Sequence, residues 1–249
     1  MNLQDKVCLV TGGTRGIGAK TSIFLAQRGA HLALVGRYHD EEAEQTAQQI
    51  RLLGKKAEVI TADMSKPGEA ARCVEEAKKR LGSPSVLIHC AGGLVPGGLL
   101  EVSPEAWYEA FEVHVHAVFH LCRAVVPEMK KAREGAIVLV SSVAGLRGLK
   151  MNLPYQVVKG ALPQFARALA YELADYNIRV NVVAPGIIRT RFHASMTEEQ
   201  KRYNLEKRIP LHKEGKPEDV ASLICELVTN DYITGETVVI DGGLTMRIA

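Results

Sequence analysis

An α/β fold, a doubly wound sheet of about seven parallel strands with helices on both faces, is predicted by three features of this sequence. Short β-branched runs alternate with longer segments of helical period along the whole chain, the pattern of successive β-α units. A knot of glycines, Val10-Thr11-Gly12-Gly13-Thr14-Arg15-Gly16-Ile17-Gly18, follows the first apolar run. No Pro/Gly/Ser-rich linker interrupts the alternation, so residues 1–249 are expected to form a single domain.

The elements follow in order. The first strand covers 6–11, and the helix over 16–29 stops at Gly29. A strand at 31–36 leads to a helix near 40–53 that ends before Gly54, and a strand at 57–61 leads to a helix over 67–81 that ends at Gly82. Strands at 85–89 and 136–141 precede the two longest helical periods, 104–131 and 154–176. The strand at 178–183 is followed by an irregular stretch from Gly186 to about Gly215, a helix near 217–229 and a last strand at 236–240. Within the irregular stretch, TEEQKRYNLEKR suggests a short helix on a mobile excursion; so long a connection is usually functional, and a lid over 186–215 is expected. Parallel strands need right-handed crossovers, which puts ligands at the carboxyl edge of the sheet.

Composition narrows the function classes. The 249 residues are 47% hydrophobic, enough for a large core, and 31 basic against 28 acidic residues leave a formal charge of +3. No global field therefore recommends nucleic acid or an anionic membrane as partner. Lys78-Lys79-Arg80 and Lys130-Lys131 fall near helix ends, where cations suit the dipole and solvent. Five cysteines without a C-x-x-C pair indicate neither disulfides nor zinc, and no metal is expected. MNLQDKV lacks a signal-peptide layout, and no apolar run approaches the ~20 residues of a membrane span, so a cytoplasmic location is expected.

The glycines after the first strand open a helix whose first N–H groups and positive dipole end suit a pyrophosphate. The spacing is G-x-x-x-G-x-G. A rival reading, Gly13-x4-Gly18-Ala19-Lys20-Thr21, nearly matches a P-loop, but Lys20 comes one residue late and is turned away by ~100°. A tight strand-to-helix turn without a ligand is the plainer alternative. At the end of the second strand, where an acid would bond the ribose of NAD, the chain reads Leu34-Val35-Gly36-Arg37. Arg37, with Arg15 from the glycine loop, suits a 2'-phosphate, so NADP(H) is the expected cofactor.

Strand five ends Val138-Leu139-Val140-Ser141-Ser142, and Tyr155 and Lys159 share a helix face beyond it. A close ammonium stabilises a phenolate and lowers the tyrosine pKa, which makes the pair a proton donor or acceptor. Tyr203 and Lys207 have the same spacing but lie in a polar segment without a strand-terminal serine, and are read as a solvated face.

Taken together, Thr11-Gly12-x3-Gly16-x-Gly18, Ala91-Gly92, Ser142, Tyr155-x3-Lys159 and Pro185-Gly186 resemble the short-chain dehydrogenase/reductase family over the whole chain. The ending, Ile233-Thr234-Gly235 through Asp241-Gly242-Gly243, is similar to its 3-oxoacyl-thioester and ketone reductase branch. The resemblance implies a Rossmann-like fold and an NADPH-dependent reductase of a ketone or 3-oxoacyl substrate, reversible as a secondary-alcohol dehydrogenase. It implies that Ser142 hydrogen-bonds the substrate oxygen, that Tyr155 donates the proton, and that Lys159 lowers the tyrosine pKa and bonds the nicotinamide ribose. Asp63 would bond the adenine amino group, and Thr190 the carboxamide. The remaining cofactor contacts implied are Gly12, Thr14, Arg15, Gly16, Ile17, Gly18, Arg37, Met64, Ala91, Gly92, Pro185, Gly186 and Ile188. A homotetramer built through 104–131, 154–176 and the C-terminal strand is implied as well.

Two positions depart from the family pattern. His89-Cys90-Ala91-Gly92 stands for Asn-Asn-Ala-Gly, a change read as packing. In Trp107-x5-Val113-His114, His114 replaces the asparagine that serves as fourth catalytic residue. Histidine keeps the main-chain carbonyl, while its ring titrates near neutrality and is expected to alter the pH dependence of a proton relay. A catalytically weakened NADP(H)-binding sensor or scaffold is the alternative that His114 suggests. His116 and His120 are read as packing or interface residues.

Leu94, Val95, Leu146, Leu149, Leu153, Ile187, Ile188 and Phe192 are expected to form apolar substrate walls, with Arg147, Lys150, Arg189 and Arg191 at the rim. Acidic-carrier docking by the branch uses basic helix surfaces; Arg133 resembles one such position, whereas Tyr176 stands at the other.

Overall fold

In a computed structural model, residues 1–194 and 196–246 are described; Ser195, inside the expected lid, and residues 247–249 lie outside the described residues. The strands are β1 (Val7–Thr11), β2 (His31–Gly36), β3 (Ala57–Thr61), β4 (Pro84–His89), β5 (Gly135–Val140), β6 (Ile178–Pro185) and β7 (Thr237–Ile240). They form one wholly parallel sheet in the order β3-β2-β1-β4-β5-β6-β7. The helices are α1 (Gly16–Gln27), α2 (Glu41–Leu52), α3 (Glu69–Leu81), α4 (Pro104–Phe111), α5 (Ala117–Ala132), α6 (Leu153–Leu173), α7 (Glu198–Tyr203) and α8 (Pro217–Thr229).

Alternation along the buried strands divides the core in two. Cys8 and Val10 pack with α1, α2 and α8, whereas Leu9 faces α3, α5 and α6. Leu32, Leu34, Leu87, Ile88 and Ile137 are fully buried, each stabilising by ~1.5–3 kcal/mol relative to exposure. The chain leaves β1 for β2 and β3, then returns to β4 on the other side of β1. That reversal parts the connections after β1 and β4 and opens a crevice at their carboxyl ends.

Glycine makes the crevice possible. A Cβ on Gly18 would lie 2.1 Å from the carbonyl oxygen of Gly12, and one on Gly12, whose φ is +64°, would lie 2.9 Å from the amide nitrogen of Ala91. The first helix can thus press against its own loop, and that loop against the connection after β4. Gly186 is pressed similarly, with Cβ space only 2.7 Å from Asp241 Cβ, which seats the Pro185-Gly186 corner beside the C-terminal turn.

Two expected segments differ in detail. The helical period over 104–131 is not one helix: a π-helical turn, Glu112–His116, joins α4 to α5, and the amide of Ala117 reaches back to the carbonyl of Glu112. The register gain places His114 inside the molecule, because a π turn inserts one residue into the ladder. The 154–176 period ends as α6 at Leu173, followed by a 3-10 turn over Ala174–Tyr176.

The stretch expected to form a lid has a closed stem. Gly215 donates its N–H to the Ile187 carbonyl at 3.0 Å and accepts from Arg189 at 2.8 Å. Between these points lie a 3-10 turn, Arg191–His193, then α7, capped reciprocally by Thr197 and Gln200, and a π-helical turn, Asn204–Arg208. The short helix expected there is present.

Packing at the glycine turn makes a test. Gly18→Ala is expected to destabilise by about 2–3 kcal/mol through overpacking, lowering the urea midpoint. Gly148→Ala, whose added Cβ meets nothing within 4 Å, should leave the midpoint unchanged. Equal midpoints for the two variants would contradict the packing account.

Candidate active site

A cleft of about 1530 Å³ runs along the carboxyl edge of the sheet, larger than most small-molecule pockets and roomy enough for a dinucleotide and a substrate. It brings together every residue expected to serve cofactor or catalysis. At one end lie Gly12, Thr14, Arg15, Gly16, Ile17, Gly18, Arg37, Asp63 and Met64; in the middle are Ala91, Gly92, Pro185, Gly186, Ile188 and Thr190; at the other end are His114, Ser142, Tyr155 and Lys159. No side chain caps α1, so its first-turn amides face the cleft end without a protein acceptor from a cap. A Cβ on Gly16 would point at the methyl of Thr190, 3.6 Å away.

Ser142, Tyr155 and Lys159 converge because the serine follows β5 by two residues and α6 carries the other two to the same cleft. Ser142 Oγ accepts the amide N–H of Ala144 at 3.2 Å, which leaves its own hydrogen to donate. Lys159 is buried and donates from Nζ to the Val140 carbonyl at 2.7 Å, while its own carbonyl accepts from Ser141 Oγ at 2.7 Å. Burial pushes the ammonium down to about 8. Its Nζ stands 5.8 Å from the centre of the Tyr155 ring.

The tyrosine corrects one expectation. Its pKa was to be lowered by Lys159, yet burial raises it, and the group acting the other way is Ser142. At 5.8 Å from the ring, with a proton already committed to Val140, the ammonium does not by itself offset the loss of solvent around the phenol.

His114 corrects another. Its ring is buried, with Nε2 3.2 Å from the Gly93 carbonyl, an arrangement that assigns the proton to Nε2. Nδ1 is then an acceptor, and it is enclosed without a hydrogen bond. Burial first, and the charge of Lys159 second, hold the ring's pKa near about 2, so it is neutral at physiological pH and does not titrate near neutrality as expected. The ring lies edge-on to Tyr155 at 6.0 Å and fills the space over Gly92, where a Cβ would meet it at 2.1 Å.

His89 is also buried and neutral, held at about 3 by burial. Thr11 Oγ1 accepts the Ala91 amide at 3.3 Å and meets His89 Nδ1 at 2.9 Å. The threonine hydroxyl thus bridges the Ala91 amide and the imidazole. As expected for packing, His89 ties strand ends together.

At the far end the arginines are paired with acids. Arg15 meets Asp40, the N-cap of α2, and Arg37 meets Asp63 at 3.3 Å. Asp63 also accepts from the amide and hydroxyl of Ser65, and its pKa is held down against a raising effect of partial burial.

Among the expected substrate walls, Leu94, Val95, Leu149, Ile187, Ile188 and Phe192 line the cleft, and Phe192 stacks at 5.9 Å from Tyr155. Leu146 and Leu153 do not line it, nor do Arg147 and Lys150, whereas Arg189 and Arg191 do. Tyr203 is exposed, in keeping with its reading as part of a solvated face, and it also borders the cleft, as do Met196 and Asn204. Sequence reasoning did not bring these residues to the cleft, because the path of the stretch after Gly186 back to it is a tertiary property. Among the described residues no group of three or more His, Cys, Asp or Glu is arranged to hold a metal ion, and no helix is long and apolar enough to cross a membrane.

Comparison with known proteins covers nearly the whole chain. Residues 12–245 match the family model described as enoyl-(acyl carrier protein) reductase. The chain is 38% identical over 245 residues to the 3-oxoacyl-[acyl-carrier-protein] reductase of Bos taurus, covering 98% of this chain and 100% of that protein. It is 35% identical to the protein of the same activity from Thermotoga maritima, covering 99% and 100%. Among solved structures, a short-chain type dehydrogenase/reductase from Mycobacterium ulcerans superposes with a TM-score of 0.91 at 29% identity, covering 99% of this chain and 92% of that one. An acetoin dehydrogenase from Salmonella typhimurium gives 0.88 at 29%, covering 97% and 98%.

The two buried imidazoles make a pH prediction. An unfolded chain protonates both below the ordinary 6.5, while the folded chain does not until about 3 and about 2. Their contribution to stability is therefore complete above 6.5 and lost progressively as pH falls. Thermal unfolding at pH 7 and pH 5 should show a smaller loss for His89→Asn/His114→Asn than for wild type; equal losses would contradict neutral burial.

Proposed function

The chain belongs to the short-chain dehydrogenase/reductase family, oxidoreductases acting on CH-OH and C=O groups, and we propose that it is an NADPH-dependent reductase of a ketone or 3-oxoacyl substrate. The observation that carries this reading is the single cleft joining an uncapped, glycine-rich helix start to a serine, a tyrosine and a buried lysine. The glycine cradle and the arginine corner suit NADP(H): Gly12, Gly16 and Gly18 leave backbone open to a pyrophosphate, and Arg15 and Arg37 can exchange their carboxylate partners for a 2'-phosphate. The bound nicotinamide supplies the hydride.

The chain's own residues handle the proton. Ser142, its oxygen already accepting from Ala144, directs its hydrogen to the carbonyl oxygen of the substrate and orients it. Tyr155, neutral because burial raises its pKa, gives its Oη proton to that same oxygen. Lys159 uses one hydrogen on Val140 and keeps two for the phenolate left behind and for a cofactor hydroxyl. Its positive charge stabilises the phenolate at the moment of transfer, where a permanently lowered tyrosine pKa would deprive the reduction of its acid. His114, neutral, offers Nδ1 as an acceptor beside this lysine. Phe192, Leu94, Val95 and Leu149 present apolar surface to the reacting carbon.

The substrate reading draws on two sides. Relatives named 3-oxoacyl-[acyl-carrier-protein] reductases support a 3-oxoacyl group, and an acetoin dehydrogenase among the structural neighbours supports a small ketone. Arg133, a position expected to greet a carrier, occupies a left-handed helix end and donates to the Asp175 carbonyl at 2.7 Å, which favours a free substrate over a carrier-bound one. Cytoplasmic residence and a homotetramer belong to the same proposal; Phe119, Val157, Tyr171 and Val239 are exposed on the surfaces that such an assembly would cover.

Three outcomes test the reading. Tyr155→Phe should lower kcat for ketone reduction by about 10²–10⁴-fold with NADPH still bound. The reduction rate of wild type should fall as pH rises past about 8, where Lys159 loses its charge, and show no limb near pH 6.5 from His114. Tight cofactor binding without turnover on any ketone or 3-oxoacyl thioester would replace the enzyme reading by a cofactor-binding sensor.

A further inference from the structure

The corner where α2, the glycine loop and the lid meet holds a charge arrangement that the proton chemistry does not use. Glu42, in the first turn of α2, has its Oε2 enclosed and without a hydrogen bond of good geometry. Two guanidinium groups face that oxygen: Arg191 Nη1 from the lid at 3.0 Å and Arg15 Nε from the glycine loop at 3.8 Å. An enclosed carboxylate oxygen is tolerated only with opposite charge beside it. With Arg15 also on Asp40 and Arg37 on Asp63, three arginines meet three carboxylates, and the corner is balanced before any ligand arrives.

We propose that Glu42 and Arg191 form a specificity-determining ion pair that ties the lid to the presence of a 2'-phosphate on the bound dinucleotide. The proposal rests on the NADP(H) reading above. A 2'-phosphate brings two negative charges and competes with Glu42 and Asp40 for Arg15. Glu42 then opposes the phosphate, while Arg191, held at the same corner by Glu42, attracts it. A dinucleotide with a plain 2'-hydroxyl brings no charge there and leaves the ion pairs as they stand. The two partners of one ion pair therefore act in opposite directions on the choice between the cofactors. A pair with only a structural role would shift both cofactors alike.

The test uses the full-length protein, wild type, Glu42→Gln and Arg191→Gln, with Kd for NADPH and NADH from fluorescence titration and amide hydrogen exchange of residues 187–215 without nucleotide. The preference for NADPH over NADH should rise by about two- to fivefold in Glu42→Gln and fall by about as much in Arg191→Gln. Exchange across the lid should quicken in both variants, since each breaks the tie to α2. Preferences moving together or not at all, or a lid whose exchange is unchanged, would overturn the proposal. If wild type binds neither nucleotide, the NADP(H) reading fails and takes the phosphate half with it, and the lid exchange alone decides whether Glu42 and Arg191 are tied.

Discussion

The contact between the connections after β1 and β4 is the constraint on which the rest of this molecule depends. Thr11 sits at its centre. Its carbonyl accepts the Cys90 amide at 3.0 Å, and its hydroxyl accepts from Ala91 and is hydrogen-bonded to His89. Such close approach is open only to a loop whose residues at 12 and 18 lack a Cβ. Once the two connections touch, the crevice at the topological reversal acquires a fixed floor, and α1 points its uncapped start into it.

Burial at the other end of the cleft does chemical work. Tyr155, Lys159, His89 and His114 all lie inside, and the loss of water acts on each according to its charge: the phenol is raised, the ammonium is lowered, and the two imidazoles are held neutral. The result is a site with one cation and an uncharged acid beside it. The π-helical turn contributes by carrying His114 inward, over Gly92 and against the edge of Tyr155, where an unbroken helix would have kept another register.

Charge at the glycine-loop end of the cleft is arranged differently, because it is exposed and paired. Arg15, Arg37 and Arg191 each have a carboxylate partner, so any anion arriving there would compete with those carboxylates. The stretch between Ile187 and Gly215 reaches that corner through Arg191 and lines the cleft through Phe192 and Tyr203. One segment thus touches both halves of the cleft, from a stem pinned between Ile187 and Gly215.

The amino-acid sequence by itself determined the sheet, its parallel sense and the glycine turn, because these follow from local periodicity and from residue types that few backbone shapes accept, while the family resemblance brought Ser142 to Tyr155 and Lys159, which line one cleft. Strand ends came within two residues of those expected, since buried parallel strands are bounded by turn residues. Only the tertiary structure decided what depends on neighbours distant in the chain. The π turn inside 104–131 leaves no periodic mark, and nothing in the sequence brings the exposed Tyr203 to the border of the cleft. The direction of the Tyr155 shift and the neutrality of His114 turned on burial against a lysine at 5.8 Å from the ring, a balance between desolvation and charge that spacing along a helix does not encode.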